Sequence, residues 1–287
     1  MIGPVIRPPS EADSFLLQVT TGCSSNQCSF CGAYKNKSFR LKKEEEILGD
    51  IETAARNHPG IRRVFLLDGD ALAVPNTKLL PVLDALDRNF PALTRIASYA
   101  NGSNISCRTD DELKALSERK LKLIYLGLES GSQEILDRMQ KSSTAEEMVR
   151  SVRRAEAAGI KSSVMVLLGL GGKRDSGLHV RETVAALNRM QPRYLSFLSL
   201  MIIRGTGLYQ EMKRKNFEEL GAEELLREAR QMIEGLELQK TVFRSNHASN
   251  YFPIEGRFPQ DKARILAMLQ SAAVGELPLR PDFLRGL

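Results

Sequence analysis

The sequence predicts an α/β protein: a partial (βα)6 barrel of the TIM type with a mainly helical C-terminal extension. Three observations carry that expectation. Short apolar runs rich in β-branched and aromatic residues recur along the chain, longer amphipathic stretches alternate with them, and the texture changes after Gly205.

The expected strands are FLLQVT (15–20), RRVFLL (62–67), TRIASY (94–99), LKLIYLGL (121–128), KSSVMVLL (161–168) and RYLSFLSL (193–200). Helical patterns lie between them at 43–57, 77–88, 110–119, 133–158 with a break near Ser142, and 178–190. TDDELKAL opens with a capping residue and acids in the first turn, as a helix start should. Six βα units fall short of the eight of a closed barrel. Beyond them come a charged helical segment (222–240), a polar stretch (241–260) and a last helix from Asp261. The expected division is an N-terminal arm at 1–14, the barrel at 15–209 and the extension at 210–287, packed on the barrel as an appendage. No solenoid repeat, low-complexity tract or Pro-rich linker interrupts this plan.

With 287 residues, 42% hydrophobic and 26% charged, the chain has the composition of a globular protein with a substantial core. The N-terminus lacks the charged-then-apolar pattern of a secretory signal. No stretch reaches the roughly 18 apolar residues of a membrane span. A cytoplasmic protein with no membrane partner is expected. The net charge of +6 comes from 41 basic residues interleaved with 35 acidic ones. The one dense cluster, Lys35, Lys37, Arg40, Lys42 and Lys43, runs into Glu44, Glu45 and Glu46, which cancel most of its field. A solvated face is expected there, not a nucleic-acid surface.

Cys23, Cys28 and Cys31 fall within nine positions, in the loop after the first expected strand, where βα loops assemble active sites. Disulfides are disfavoured in a long chain without a signal. A structural zinc site wants four Cys or His ligands. Cys107 and the histidines His58, His179 and His247 are not spaced as a second pair, and Cys107 is expected to be a small packed side chain. Three thiolates on one loop suit an iron–sulfur cluster with one iron left open. Spacing alone leaves zinc, packing and disulfides as alternatives.

At these residues the sequence resembles the radical S-adenosylmethionine (SAM) enzymes, in the branch of the oxygen-independent coproporphyrinogen oxidases and methylthiotransferases. In that family a cysteine triplet after the first strand binds a 4Fe-4S cluster whose open iron chelates SAM. One electron then cleaves SAM to methionine and a 5′-deoxyadenosyl radical that abstracts hydrogen. This chain has C-x4-C-x2-C where most members have C-x3-C-x2-C, one residue more between Cys23 and Cys28. Phe30 matches the family's aromatic before the last cysteine, expected near the adenine. LLDGDAL after the second strand matches the GGE-type turn whose backbone carbonyls receive the SAM ammonium, at Asp68, Gly69 and Asp70.

GLESGS is similar to the branch's segment after the fourth strand. By that likeness Glu129 contacts the SAM amino group or ribose with Ser130 beside it, and Lys141 pairs with the SAM carboxylate. A buried Glu at a strand end is costly without such a partner. LLGLGGKRDS resembles the GLPG turn, so Gly169, Gly171 and Gly172 are expected to let the backbone approach the adenine or ribose. Ser163 on the same strand is a candidate for a ribose hydroxyl. IIRGTGLY resembles PGTPLY, with Arg204 in place of the Pro. The likeness covers residues 15 to 209.

For the substrate the sequence offers FRSNHASNY (243–251), rich in hydrogen-bonding groups and expected to cover the open side of the barrel. Arg244, Asn246, His247, Asn250 and Tyr251 are the candidates there, with Arg204 at the end of the sixth strand a further one, and His247 and Glu129 the side chains placed to handle protons. The alternative is a solvent-facing loop that satisfies its own turns. With about 14 residues before the first strand, a preceding cobalamin domain is not expected. With no second cysteine cluster, an auxiliary cluster is not expected either. The leading expectation is a radical SAM enzyme acting on a small-molecule substrate and served by an electron donor such as flavodoxin or ferredoxin. An RNA-modifying radical SAM enzyme and a non-catalytic iron–sulfur or zinc protein are the competing readings.

Overall fold

In the computed structural model, the alternation of apolar runs and amphipathic stretches becomes an alternation of parallel strands and helices. It describes residues 3 and 5–286. The chain forms two units: Met1–Asn26 with Ala33–Leu126 and Arg154–Ser162, and Gln27–Gly32 with Gly127–Arg153 and Ser163–Leu287. The boundary expected at residue 209 falls inside the second unit.

The first unit carries β1 (Phe15–Gln18), β2 (Arg63–Leu67), β3 (Arg95–Ala100) and the greater part of β4 (Leu121–Glu129). All three pairings are parallel, with Phe15 opposite Val64, Arg63 opposite Arg95 and Ile96 opposite Leu121. Val64, Phe65, Leu66 and Leu67 are fully buried in succession, the unbroken apolar run that a strand covered on both faces requires. Helices Glu44–Asn57, Asn76–Asn89 and Asp110–Glu118 lie between the strands. The last begins with the expected cap: the Glu112 N–H donates to Thr109 Oγ1, and the Thr109 N–H to Glu112 Oε2. In the N-terminal arm, buried Glu11 accepts Arg95 Nη2 at 2.7 Å and Tyr125 Oη at 2.6 Å, so its charge is paired.

The second unit carries β5 (Lys161–Leu168, from Ser163), β6 (Tyr194–Ser199), β7 (Val242–Ser245) and β8 (Ile254–Arg257). β5, β6 and β7 are parallel, and β8 runs antiparallel to β7. These last two strands are an addition to an extension that is otherwise mainly helical, as expected. Each has only four residues, and in β7 just Phe243 and Ser245 are buried, too short an alternation to stand out in a polar stretch. Helices Gln133–Arg138 and Ala145–Ala157 are separated at the expected break. Helix Gly172–Met190 begins earlier than expected, with a kink at Asp175 that hides the start from periodicity. Helix Ala222–Gly235 buries Leu225, Leu226, Ala229, Met232 and Ile233, and helix Lys262–Ala273 buries Ile265 and Leu269. Among the described residues, no helix is long and apolar enough to cross a membrane.

Candidate functional site

In the first unit the limbs of the cysteine loop meet at a neck. Thr20–Thr21 pairs antiparallel with Arg40–Leu41, and Thr21 Oγ1 donates to the Ser38 carbonyl at 3.0 Å. Below the neck, at the end of β2, lies fully buried Asp68. Its Oδ2 accepts from Gln18 Nε2 at 3.1 Å, the Gly22 N–H at 2.9 Å and Lys37 Nζ at 2.5 Å. Asp70, also fully buried, accepts from Ser24 Oγ, next to half-buried Cys23. The side chains of the expected SAM turn are thus engaged with the cysteine loop.

The second unit holds the tip of that loop. Cys28 and Cys31 are half-buried and outside any disulfide, and the Cys31 N–H donates to the Cys28 carbonyl at 3.3 Å. Phe30 packs against Ile135, Met139, Leu170, Leu200, Leu208 and Phe217, and Ser29 binds Met139 and Leu208 through its backbone. Burial pushes the Cys28 thiol up, Lys141 pulls it down, and Glu129 and Cys31 push it up again. A soft cation would displace that proton, with Lys141 acting in the same direction. Cysteine thiolates such as these are the ligands that iron–sulfur clusters take.

Glu129 and Lys141 come together at 3.3 Å, both largely buried. Glu129 has φ 62°, and its side chain lies over Gly127, where a Cβ would stand 2.0 Å from Oε1 and 3.2 Å from Lys141 Nζ. Gly127 therefore makes room for the pair. Sequence reasoning missed it, although a glycine inside a strand signals close approach.

Behind the pair runs a sealed polar chain. Ser130 Oγ lies 2.8 Å from His179 Nδ1, and His179 Nε2 lies 3.2 Å from the Leu167 carbonyl. A carbonyl only accepts, so Nε2 carries the proton and Nδ1 accepts from Ser130. Burial pushes His179 down to about 4 against the raising effect of the Leu167 carbonyl. Glu228, on helix Ala222–Gly235, accepts the Gly169 N–H at 2.6 Å and Ser176 Oγ, with His179 Nε2 3.8 Å away. Burial pushes Glu228 up to about 7, opposed by the bonds from Ser176 and Gly169. Gly171 and Gly172 continue the turn, and Ser163 is buried on β5. No local signal pointed to Glu228, Lys37 or Gln18 as partners of these turns.

The tail residues separate into two groups. Arg204, Arg244 and Asn246 are exposed, with Arg244 5.8 Å over the Tyr194 ring. Asn250 is buried and spent on structure, accepting from the Ser199 N–H at 2.7 Å and donating to the Phe197 carbonyl at 2.8 Å. His247 pairs with Ser249 at 2.9 Å and is pushed down, first by burial and then by Arg280. Tyr251 donates to Asp282 beneath Arg285. Cys107 corrects the expectation of packing: it is exposed, its Sγ donating to the Asn104 carbonyl.

A family model described as the Radical SAM superfamily matches residues 17–184. A putative methylthiotransferase of Methanocaldococcus jannaschii is 24% identical over 154 residues, 50% of this chain and 33% of that relative. A radical S-adenosylmethionine methyltransferase from Kitasatospora setae, solved with cobalamin and a 4Fe-4S cluster bound, aligns with a TM-score of 0.57 and 18% identity, over 70% of this chain and 39% of that one. The coproporphyrinogen III oxidase of Escherichia coli, a radical SAM enzyme, aligns with a TM-score of 0.58 and 13% identity, over 77% and 51% of the two chains. The chain thus spans between a third and about half of these proteins. The two structural likenesses show the fold, the α/β type that the sequence predicted.

Proposed function

The chain belongs to the radical SAM superfamily, and on that premise we propose that Cys23, Cys28 and Cys31 hold a 4Fe-4S cluster and that the protein is an enzyme using it with SAM on a small organic substrate. The observation that carries this reading is the Glu129–Lys141 pair, whose two charges both act on Cys28. It puts an anion and a cation beside a cluster thiol, as the ammonium and carboxylate of one amino acid require.

When bound, the cluster and SAM supply a 5′-deoxyadenosyl radical that takes hydrogen from a C–H bond. The chain's own part is to bind and orient. Lys141 exchanges Glu129 for a carboxylate, and Glu129, released, accepts from an ammonium or a ribose hydroxyl. In the family likeness the turns Asp68–Asp70 and Gly169–Gly172 are the further contacts with SAM. Phe30, seated on its apolar cluster, anchors the loop tip that carries Cys28 and Cys31.

The test is anaerobic reconstitution with iron and sulfide, reduction, addition of SAM and measurement of 5′-deoxyadenosine. Wild type is expected to release it, and Lys141→Met to bind SAM about tenfold more weakly, the worth of one charge-assisted bond. Zinc in place of iron and sulfide in anaerobically purified protein, or unchanged SAM binding in Lys141→Met, would overturn the reading. An RNA-modifying role requires RNA affinity that falls steeply with salt.

A further inference from the structure

The spacer between Cys23 and Cys28 is supported at Ser24 and Asn26, by contacts all within the first unit. Ser24 Oγ donates to Asp70, which is fully buried. Asn26 Nδ2 donates across the loop to the Tyr34 carbonyl at 2.6 Å, and Lys35 Nζ donates to the Asn26 carbonyl at 3.3 Å. Tyr34 is itself fixed: its ring lies where a Cβ on Gly69 would stand 2.4 Å away. The Gly69 N–H donates to the Gly22 carbonyl at 3.2 Å, and Asp68 holds the Gly22 N–H and Lys37. The Asp68–Gly69–Asp70 turn therefore touches the cysteine loop at both limbs and within the spacer.

We infer that Asp70 through Ser24, and Asn26 through the Tyr34 carbonyl, are positioning residues that hold the four-residue spacer in one conformation so that Cys23 is presented to the cluster. This rests on the reading of the three cysteines as cluster ligands, and it assigns a task to the acidic turn. Its carboxylates serve the cluster loop. A spacer one residue longer has more conformations to lose when the third thiolate binds. Bonds already made in the free protein remove that cost, and the bond to buried Asp70 is charge-assisted.

Ser24 is exposed and Asn26 half-buried, so substitutions there leave the core intact. Wild type, Ser24→Ala, Ser24→Thr, Asn26→Ala, Asp70→Asn and the Ser24→Ala/Asp70→Asn double variant are reconstituted anaerobically. Three quantities are compared: iron and sulfide per chain, the rate of cluster loss to a chelator, and the resonance spectrum of the reduced cluster.

Ser24→Ala and Asn26→Ala are expected to lose the cluster about tenfold faster, the worth of one such bond, with an altered spectrum. Ser24→Thr keeps the hydroxyl and is expected to restore both. The double variant is expected to lose the cluster no faster than the worse single one, because the two residues act through one contact. Wild type that holds a cluster while Ser24→Ala and Asn26→Ala lose it at the wild-type rate overturns this inference and leaves the proposed function standing. Wild type that takes up no iron and sulfide overturns both.

Discussion

Asp68 in the first unit and Glu228 in the second each use a buried carboxylate to hold the backbone N–H of a loop, at Gly22 and Gly169 respectively. They differ in what compensates the charge. Asp68 pairs with Lys37 at 2.5 Å and accepts from Gln18 on the same oxygen. Glu228 is met by neutral donors, the Gly169 N–H and Ser176, and by a histidine that burial keeps neutral. Removing charges from water costs several kcal/mol per ion, and only a close partner repays it. The cysteine loop is thus clamped by an ion pair, while the glycine turn is clamped by a group that stays protonated up to about 7. One clamp answers to truncation, the other to pH.

The largest effect expected from this contrast is on Asp68. Asp68→Ala removes the one oxygen shared by Gln18, Gly22 and Lys37, and breaking a buried ion pair from one side costs about 3–5 kcal/mol. Urea unfolding of the apoprotein measures it, beside Glu228→Ala as the comparison. The Glu228 change removes bonds to neutral donors and is expected to cost less. An equal or larger loss in Glu228→Ala would break the distinction between ionic and neutral clamps.

Next in size is a pH effect that the wild type conceals. Glu228 rises from 4.5 to about 7, so the folded state binds more protons than the unfolded one across that window. Its contribution is full below 4.5 and is lost as pH rises through about 7. His179 falls from 6.5 to about 4, so its contribution is present above 6.5 and lost as pH falls through about 4. Between 4.5 and 6.5 the two oppose each other, and stability from this pair is flat. Glu228→Gln removes one member. The variant's stability should then rise relative to wild type between pH 4.5 and 7 by on the order of 3 kcal/mol, at 1.4 kcal/mol per pH unit. Urea midpoints at five pH values measure it, and parallel curves for the two proteins would refute the cancellation.

These clamps also mark where reading the sequence succeeds and where it stops. The parallel strands were legible because strands buried on both faces carry continuous apolar runs, as Val64 to Leu67 do. The break before Ala145 and the Thr109 cap were legible because each is written in adjacent residues. Glu129 and Lys141 were singled out by likeness to a known segment as contacts of one ligand, but the ion pair between them was not foreseen. Glu228 was not legible, because its partner Gly169 lies 59 residues away and nothing in an amphipathic helix distinguishes a buried Glu from a solvated one. Asp68 was seen as part of a turn, but its partners Gln18 and Lys37 come from the two limbs of another loop. β7 and β8 were missed because four residues with polar alternates give no period to detect.

The smallest effect sharpens the comparison most, because it locates the proton. Ser176 Oγ donates to Glu228, and that bond favours the ionised carboxylate. A hydrogen bond to a charged acceptor contributes about twice what one to a neutral acceptor does. If Glu228 holds the proton at pH 5 and releases it above 7, Ser176→Ala costs about 1 kcal/mol at pH 5 and about twice that at pH 8. If His179 held the proton instead, Glu228 would be ionised at both pH values and the loss would be the same at each. Urea unfolding of Ser176→Ala at the two pH values separates these outcomes, with Ser176→Thr as the variant that keeps the hydroxyl. A pH-independent loss would mean that the second clamp is also ionic, its cation being His179, and the contrast with Asp68 and Lys37 would disappear.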